Sequence, residues 1–311
     1  MQTLIPSPSS PSPGGKEPKF QNPNPTSSPS PSPASIRLWR PSAQRNLRNQ
    51  WSKLLSHRQR WASASSDGRS HATSIVNAHL SHRYMPDMDV GVLSGMSDIK
   101  QRAQEKLARR QEHYQVKLLS SYKDMVGVVA QMVNASRSMR CFLKGSMNSP
   151  IVQFGSQPED GNDTGDGGGV PVFSFLSILY FESLAQELAQ MFVQELTLKR
   201  LLVLELLSIN REEDSSVQTN RLSWSDELYP GEFDDLSISD LLYSKEHCQP
   251  VPPRINGWEF GNPTTGRTNN LLDREVLEVY LTAWLVEVNI NIYRVDQIFT
   301  MIGEEMNVNL S

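Results

Sequence analysis

The sequence predicts an all-α chain: an elongated helical bundle or coiled coil with a disordered N-terminal tail and an acidic insertion. Three observations predict it. Apolar residues recur at steps of three and four over long stretches, which is helical spacing. The prolines are clustered, with ten of the twenty inside residues 1–35, so long stretches are free of helix breakers. The stretches between the periodic segments are polar and rich in Gly and Pro. They divide the chain into a Ser/Pro tail (1–35), a basic helical and coiled-coil region (36–145), a flexible linker (146–171), a leucine-rich helix (172–209), an acidic, mostly disordered insertion (210–268) and a C-terminal helix (269–303).

The tail interleaves serine with proline and cannot bury enough apolar surface to offset its ordering entropy. Ser7, Ser10, Ser12, Ser28, Ser30 and Ser32 each precede a proline, the minimal acceptor pattern for a proline-directed kinase. Phosphorylation would add about −1.5 to −2 charges per site. None of the six has Lys or Arg two residues after the proline. The tail lacks a charged n-region followed by an apolar core, so it is no secretory signal. It contains no Arg, which disfavours an organellar transit peptide.

Residues 42–83 read as two short helices. Leu47, Trp51, Leu54, Leu55 and Trp61 fall near helical spacing, Asp67-Gly68 marks a break, and Ile75, Val76 and Leu80 continue a second face. Arg37, Arg40, Arg45, Arg48, Lys53, Arg58 and Arg60 surround the first helix, either as a solvated amphipathic face or as a nucleic-acid or nuclear-import patch. Residues 97–144 read as one helix from Ser97-Asp98 to Gly145. Leu107, Gln111, Tyr114, Leu118, Ser121, Met125, Val128, Met132, Ala135, Met139 and Phe142 alternate in steps of four and three, a coiled-coil seam. At 1.5 Å per residue that helix would extend about 72 Å. Its Met and Ala content makes the seam adaptable, so it needs partners along its length.

The linker contains Gly167-Gly168-Gly169, without the preceding strand or Lys-Ser/Thr ending of a phosphate loop. In the next helix Leu184, Leu188, Phe192 and Leu196 form one stripe. From Leu196 to Leu207 eight of twelve residues are Leu or Val, apolar on nearly every side, as in the middle of a bundle or under another subunit. The acidic insertion carries Trp224, Tyr229, Phe233 and Trp258, more aromatics than a spacer needs, which points to partial docking. The last helix takes Asn270 and Asp273 as a capping arrangement, then Val276, Tyr280, Trp284, Val288, Ile292, Val295, Phe299 and Ile302. Val286, Val288, Ile290 and Ile292 also alternate with strand period, but the helical spacing continues through both flanks.

Charge is distributed unevenly. The net charge is −4, yet residues 36–144 hold 19 Lys/Arg against 7 Asp/Glu and residues 151–311 hold 9 against 26. Halves of opposite sign suggest mutual packing or two partners of different character. Two cysteines cannot build a disulfide framework, which suits a reducing compartment. The most apolar stretch, Val170 to Leu207, is interrupted by six charges, so no membrane span is expected. No HExxH, GxSxG, P-loop or EF-hand pattern occurs. His79 and His82 stand three apart with no nearby Cys or carboxylate, and neither Cys141 nor Cys248 has a nucleophile's setting. The expectation is therefore a non-enzyme with no catalytic residue, metal or cofactor.

Two strings remain: Met191-Phe192-Val193-Gln194-Glu195-Leu196-Thr197-Leu198-Lys199-Arg200 and Tyr280-Leu281-Thr282-Ala283-Trp284-Leu285. With Trp51 in a basic first helix, Ile75 and Asn77 in the next, and Phe173 after Pro171, they occur in the order seen in a known family. The chain resembles the cyclin-dependent-kinase-two-interacting protein family, in its plant-type form, over about residues 42–83, 97–144, 172–208 and 271–300. The Ser-Pro tail and the length of the insertion depart from that pattern. The resemblance implies an adaptor between cyclin-dependent kinase and the replication machinery, acting in the checkpoint through the checkpoint-kinase partner ATRIP. It also implies membership of a AAA-ATPase unfoldase complex for large ribosomal subunit maturation.

The partner-binding set expected from the strings and the seam is Trp51, Leu118, Met125, Met132, Met191, Phe192, Glu195, Leu196, Leu198, Lys199, Arg200, Tyr280, Leu281, Trp284 and Leu285. Lys199 and Arg200 would have to reach solvent or an acidic partner. Partners would be heterologous helical subunits, in the nucleus or alternatively the cytoplasm. The rival readings are a nucleic-acid-binding protein acting through 36–144 and a self-associating coiled coil.

Overall fold

The computed structural model describes residues 33–144, 153–155, 157–159, 161, 163–209, 222–237 and 274–310. The six Ser-Pro sites, Cys248, Trp258, Asn270 and Asp273 lie outside them, as do the rest of the tail and most of the acidic insertion. Among the described residues the chain is mostly helical, with six α-helices and one two-stranded sheet.

Helix α1 (Pro33–Tyr84) is a single helix of 52 residues, not two short ones. Proline suits its first turn, where no intrahelical donor is needed. It ends where Met85 precedes Pro86, a position that disfavours helical backbone. Asp67-Gly68 does not break it: Gly68 is buried within the helix. Its lack of a Cβ admits the Trp284 indole, because a Cβ there would stand 2.6 Å from Cζ2 of that ring.

Helix α2 (Ile99–Arg137) starts where Ser97-Asp98 suggested but stops eight residues before Gly145. It returns antiparallel along α1: Asn46 Nδ2 donates to the carbonyls of Ser138 and Met139, Arg60 Nη1 donates to Gln131, and His71 stacks on Tyr114. The seam positions Gln111, Leu118, Ser121, Met125, Val128, Met132 and Ala135 are buried. Phe142, read as the last seam residue, belongs instead to a strand.

That strand, β1 (Phe142–Lys144), pairs antiparallel with β2 (Gln153–Gly155), Leu143 opposite Phe154. The expected flexible linker is thus partly built structure. Asp163 Oδ2 accepts from the Leu143 amide at 2.7 Å, and Asp166 Oδ1 caps the glycine turn by accepting from Gly168. Gly167 has φ +68 and lies against the Trp39 ring, where no side chain would fit.

Helix α3 (Ile178–Ser208) packs on α2, on α1 and on the later helices. The predicted stripe of Leu184, Leu188, Phe192 and Leu196 is buried, and Ile178, Phe181 and Ala185 extend the buried face toward the start of the helix. Within the insertion, residues 222–237 are ordered and end in the six-residue α4 (Glu232–Ser237), packed on α2. Trp224, Tyr229 and Phe233, the aromatics expected to dock, lie in this stretch and pack against the core.

The C-terminal element is two helices, α5 (Arg274–Val286) and α6 (Ile292–Met306), not one. Glu287 takes a left-handed φ of 50, the Ile290 amide donates back to its carbonyl, and Asn291 caps α6 by accepting from the Arg294 amide. Helical spacing continues across this corner, so periodicity alone could not reveal it. The core is shared by all these elements, with Trp51 edge-on to Phe299 and Trp61 edge-on to Phe192.

Candidate functional site

The two strings that carried the family resemblance meet in space. Leu196 and Phe192 fill the core beneath α5, while Glu195, Lys199 and Arg200 are fully buried. Lys199 and Arg200 are neighbours in sequence, so their side chains leave α3 about 100° apart and serve different elements.

Lys199 Nζ donates to the Trp284 carbonyl at 2.6 Å, lies 3.0 Å from Glu195 Oε1 and stands 4.8 Å from the centroid of the Trp284 ring. Glu195 Oε2 accepts from both the backbone and side-chain amides of Asn289 at 3.0 Å. Glu287 Oε1 accepts from Trp61 Nε1 at 3.0 Å and from Ser65 Oγ at 2.6 Å, and Trp284 Nε1 donates to the Ser65 carbonyl. Burial lowers the pKa of Lys199, and the carboxylates of Glu195 and Glu287 oppose that shift. Together these groups clamp the α5–α6 corner onto α1 and α3. The left-handed backbone at Glu287 places its carboxylate beside Trp61 and Ser65.

Arg200 makes a second buried centre. Its guanidinium pairs with both oxygens of Glu232 at 2.8 and 3.2 Å and donates to the carbonyls of Trp224 and Asp226 at 2.7 Å. It also lies 4.5 Å from the Trp224 ring centroid. Glu232 accepts further from Tyr122 Oη and the Leu228 amide, each at 2.7 Å. Burial, then the Glu232 charge, pushes the Tyr122 hydroxyl well above its ordinary pKa. The Arg200 guanidinium and the Glu232 carboxylate both bridge segments, so the centre ties residues 222–237 to α2 and α3. The acidic partner sought for Lys199 and Arg200 is the chain's own Glu195 and Glu232.

Other ion pairs sit nearer the surface. Arg140 is bidentate on Glu182 at 2.8 and 3.0 Å, and Arg294 is bidentate on Glu187 at 2.6 and 2.7 Å. Glu305 Oε1 accepts from three successive amides, Ser174, Phe175 and Leu176, tying the start of α3 to α6. No local spacing in the sequence marks Glu232 or Glu305, because Arg200 and Tyr122 lie over thirty residues from the one and the Ser174–Leu176 amides over a hundred from the other.

Of the residues expected to meet a partner, Trp51, Leu118, Met125, Met132, Phe192, Leu196 and Trp284 are buried in this chain's own core. Met191, Leu198, Tyr280 and Leu281 are half-buried, and Leu285 is exposed. Exposure instead falls on neighbours of the second string, with Val279 and Val288 at 64%, Val286 at 61% and Tyr293 at 85%. Among the described residues no set of His, Cys, Asp or Glu is placed to hold a metal ion, and no helix is long and apolar enough to cross a membrane. Burial, with Asp163 beside it, pushes the Cys141 thiol up to about 11, far from the depressed value of a nucleophilic cysteine.

Comparison with protein-family models, curated proteins and solved structures found no match to this chain.

Proposed function

We propose that this chain is a non-enzymatic adaptor or scaffold subunit, an elongated helical bundle with coiled-coil pairing along the α1–α2 seam, held in a larger nuclear assembly. The observation that carries the reading is the apolar surface at the α5–α6 corner. Val279, Leu285, Val286, Val288, Ile292 and Tyr293 expose large apolar side chains within fifteen residues. Exposed patches of that density mark interaction sites in soluble proteins. The corner behind them is clamped by Lys199, Glu195 and Glu287, so the surface is presented on a rigid support.

The resemblance supplies the partners in this reading: a AAA-ATPase unfoldase complex acting in large ribosomal subunit maturation, cyclin-dependent kinase, and ATRIP in replication-checkpoint signalling. Heterologous helical subunits would pack on the corner. Affinity purification of the tagged full-length chain with quantitative mass spectrometry tests this. The expected result is recovery of a AAA ATPase by the wild type and its loss with Val279→Asp/Val286→Asp. Recovery of no AAA ATPase by the wild type would count against the family assignment. A dimeric or larger mass for the isolated chain would favour the self-associating coiled coil.

A further inference from the structure

A strip of positive charge runs along one face of α2, on the side turned away from the core. Taking 100° per residue, Arg102, Lys106, Arg109, Arg110, His113 and Lys117 fall within a sector about 100° wide. All six are exposed. From Arg102 to Lys117 the strip is about 22 Å long at 1.5 Å per residue. The acidic residues Glu105 and Glu112 fall outside the sector, and Arg102 pairs with Asp98 at its solvent-exposed end. At the other end the strip is organised around the half-buried Tyr114. Arg110 and Lys117 stand 5.6 and 5.7 Å from its ring centroid, and His71 of α1 stacks on it at 6.0 Å. Two of the cations are therefore held by an aromatic side chain, which lowers the entropy lost when they meet a ligand.

We infer that this face of α2 binds the phosphodiester backbone of a nucleic acid. An acidic protein is a poorer match, because a protein interface needs an apolar centre inside its polar rim, and the sector holds none of the chain's exposed large apolar residues. Phosphate contacts draw chiefly on Arg and Lys, and five of the six side chains of the strip are of those two types. The chain's net charge of −4 opposes any polyanion, so binding must come from this local arrangement. The inference is independent of the scaffold reading, since it concerns the isolated chain.

Fluorescence anisotropy of the full-length chain with labelled DNA and RNA duplexes of one sequence tests it. A length of about 20 base pairs is three times the strip at 3.4 Å per step. The expected result is binding that weakens with salt at a log–log slope of about −4, as for four or five phosphates neutralised. Lys106→Glu/Arg109→Glu/Lys117→Glu should lower affinity at least ~100-fold and cut the slope by about 3, with helicity and melting unchanged. Arg37→Glu/Arg45→Glu, at the far end of α1, should bind as the wild type. Binding of both duplexes means that the backbone alone is read; binding of one identifies the nucleic acid. No binding at low salt, full binding by the triple variant, equal loss in the α1 control, or displacement of the duplex by poly-glutamate at equal charge would each overturn the inference.

Discussion

Lys199 and Trp284 are 85 residues apart, yet the lysine ammonium donates a 2.6 Å hydrogen bond to the tryptophan carbonyl and stands 4.8 Å from the centre of its ring. A buried cation is tolerated there because Glu195 completes the pair at 3.0 Å. Removing one partner of such a pair strands the other, at a cost of about 3–5 kcal/mol. Lys199→Met should therefore destabilise by that order. Lys199→Met/Glu195→Gln should be more stable than Lys199→Met alone, because the amide still accepts from Asn289 and no charge is left behind. Urea unfolding of the two single variants and the double variant measures the coupling; strictly additive effects would show that the charges do not interact.

Gly68 tests how closely the same indole approaches α1. Gly68→Ala places a methyl 2.6 Å from a ring carbon, so the indole or the helix must shift. Overpacking of this kind costs about 1–3 kcal/mol, although alanine is the better helix former by up to ~1 kcal/mol. The expected sign is a net loss in wild type and a net gain in a Trp284→Phe background, where the smaller ring leaves room. A gain in both backgrounds would mean that the contact is not tight.

This glycine shows why part of the fold was legible in the sequence and part was not. The α2 seam through Leu118, Met125 and Met132 could be read because burial and helical spacing coincide over several turns. A glycine in a polar stretch reads as a break, and only the position of Trp284 reveals that it is a contact. The α5–α6 corner was hidden for the opposite reason: Val288, Ile292 and Val295 keep helical spacing, while Glu287 turns the chain through bonds to Trp61 and Ser65. Lys199 and Arg200 were legible as residues of consequence, but their partners depended on the tertiary fold.

Arg200 makes a parallel prediction about the insertion. Glu232→Ala leaves the guanidinium buried with two carbonyls and no counter-charge. Residues 222–237 should then exchange their amide hydrogens faster and become accessible to protease, and global stability should fall by about 3–5 kcal/mol. Hydrogen-exchange mass spectrometry resolves the segment from α3. Unchanged protection of the Leu228 amide, which donates to Glu232, would show that packing of Trp224 and Tyr229 holds the segment without the ion pair.

The same centre sets the response to alkali. Tyr122 is buried against Glu232, and Tyr229 donates to Asp235 at 2.9 Å; burial is the leading cause that raises both hydroxyls above the ordinary tyrosine value, with nearby carboxylates adding to it. A group whose folded pKa exceeds its unfolded one contributes stability that is intact below the unfolded value, about 10, and is lost as pH rises toward the folded value. Melting temperature should therefore fall once pH passes about 10, where Tyr122 and Tyr229 ionise only in the unfolded chain. Absorbance titration of phenolate should show Tyr122 and Tyr229 ionising together with loss of helical circular dichroism. In Tyr122→Phe the alkaline fall should be shallower, since one raised group is gone. The variant also loses the 2.7 Å donor to Glu232, so its stability at neutral pH should be lower by about 0.5–3 kcal/mol. A wild type that ionises every tyrosine while still folded would show that the Arg200 centre is open to water.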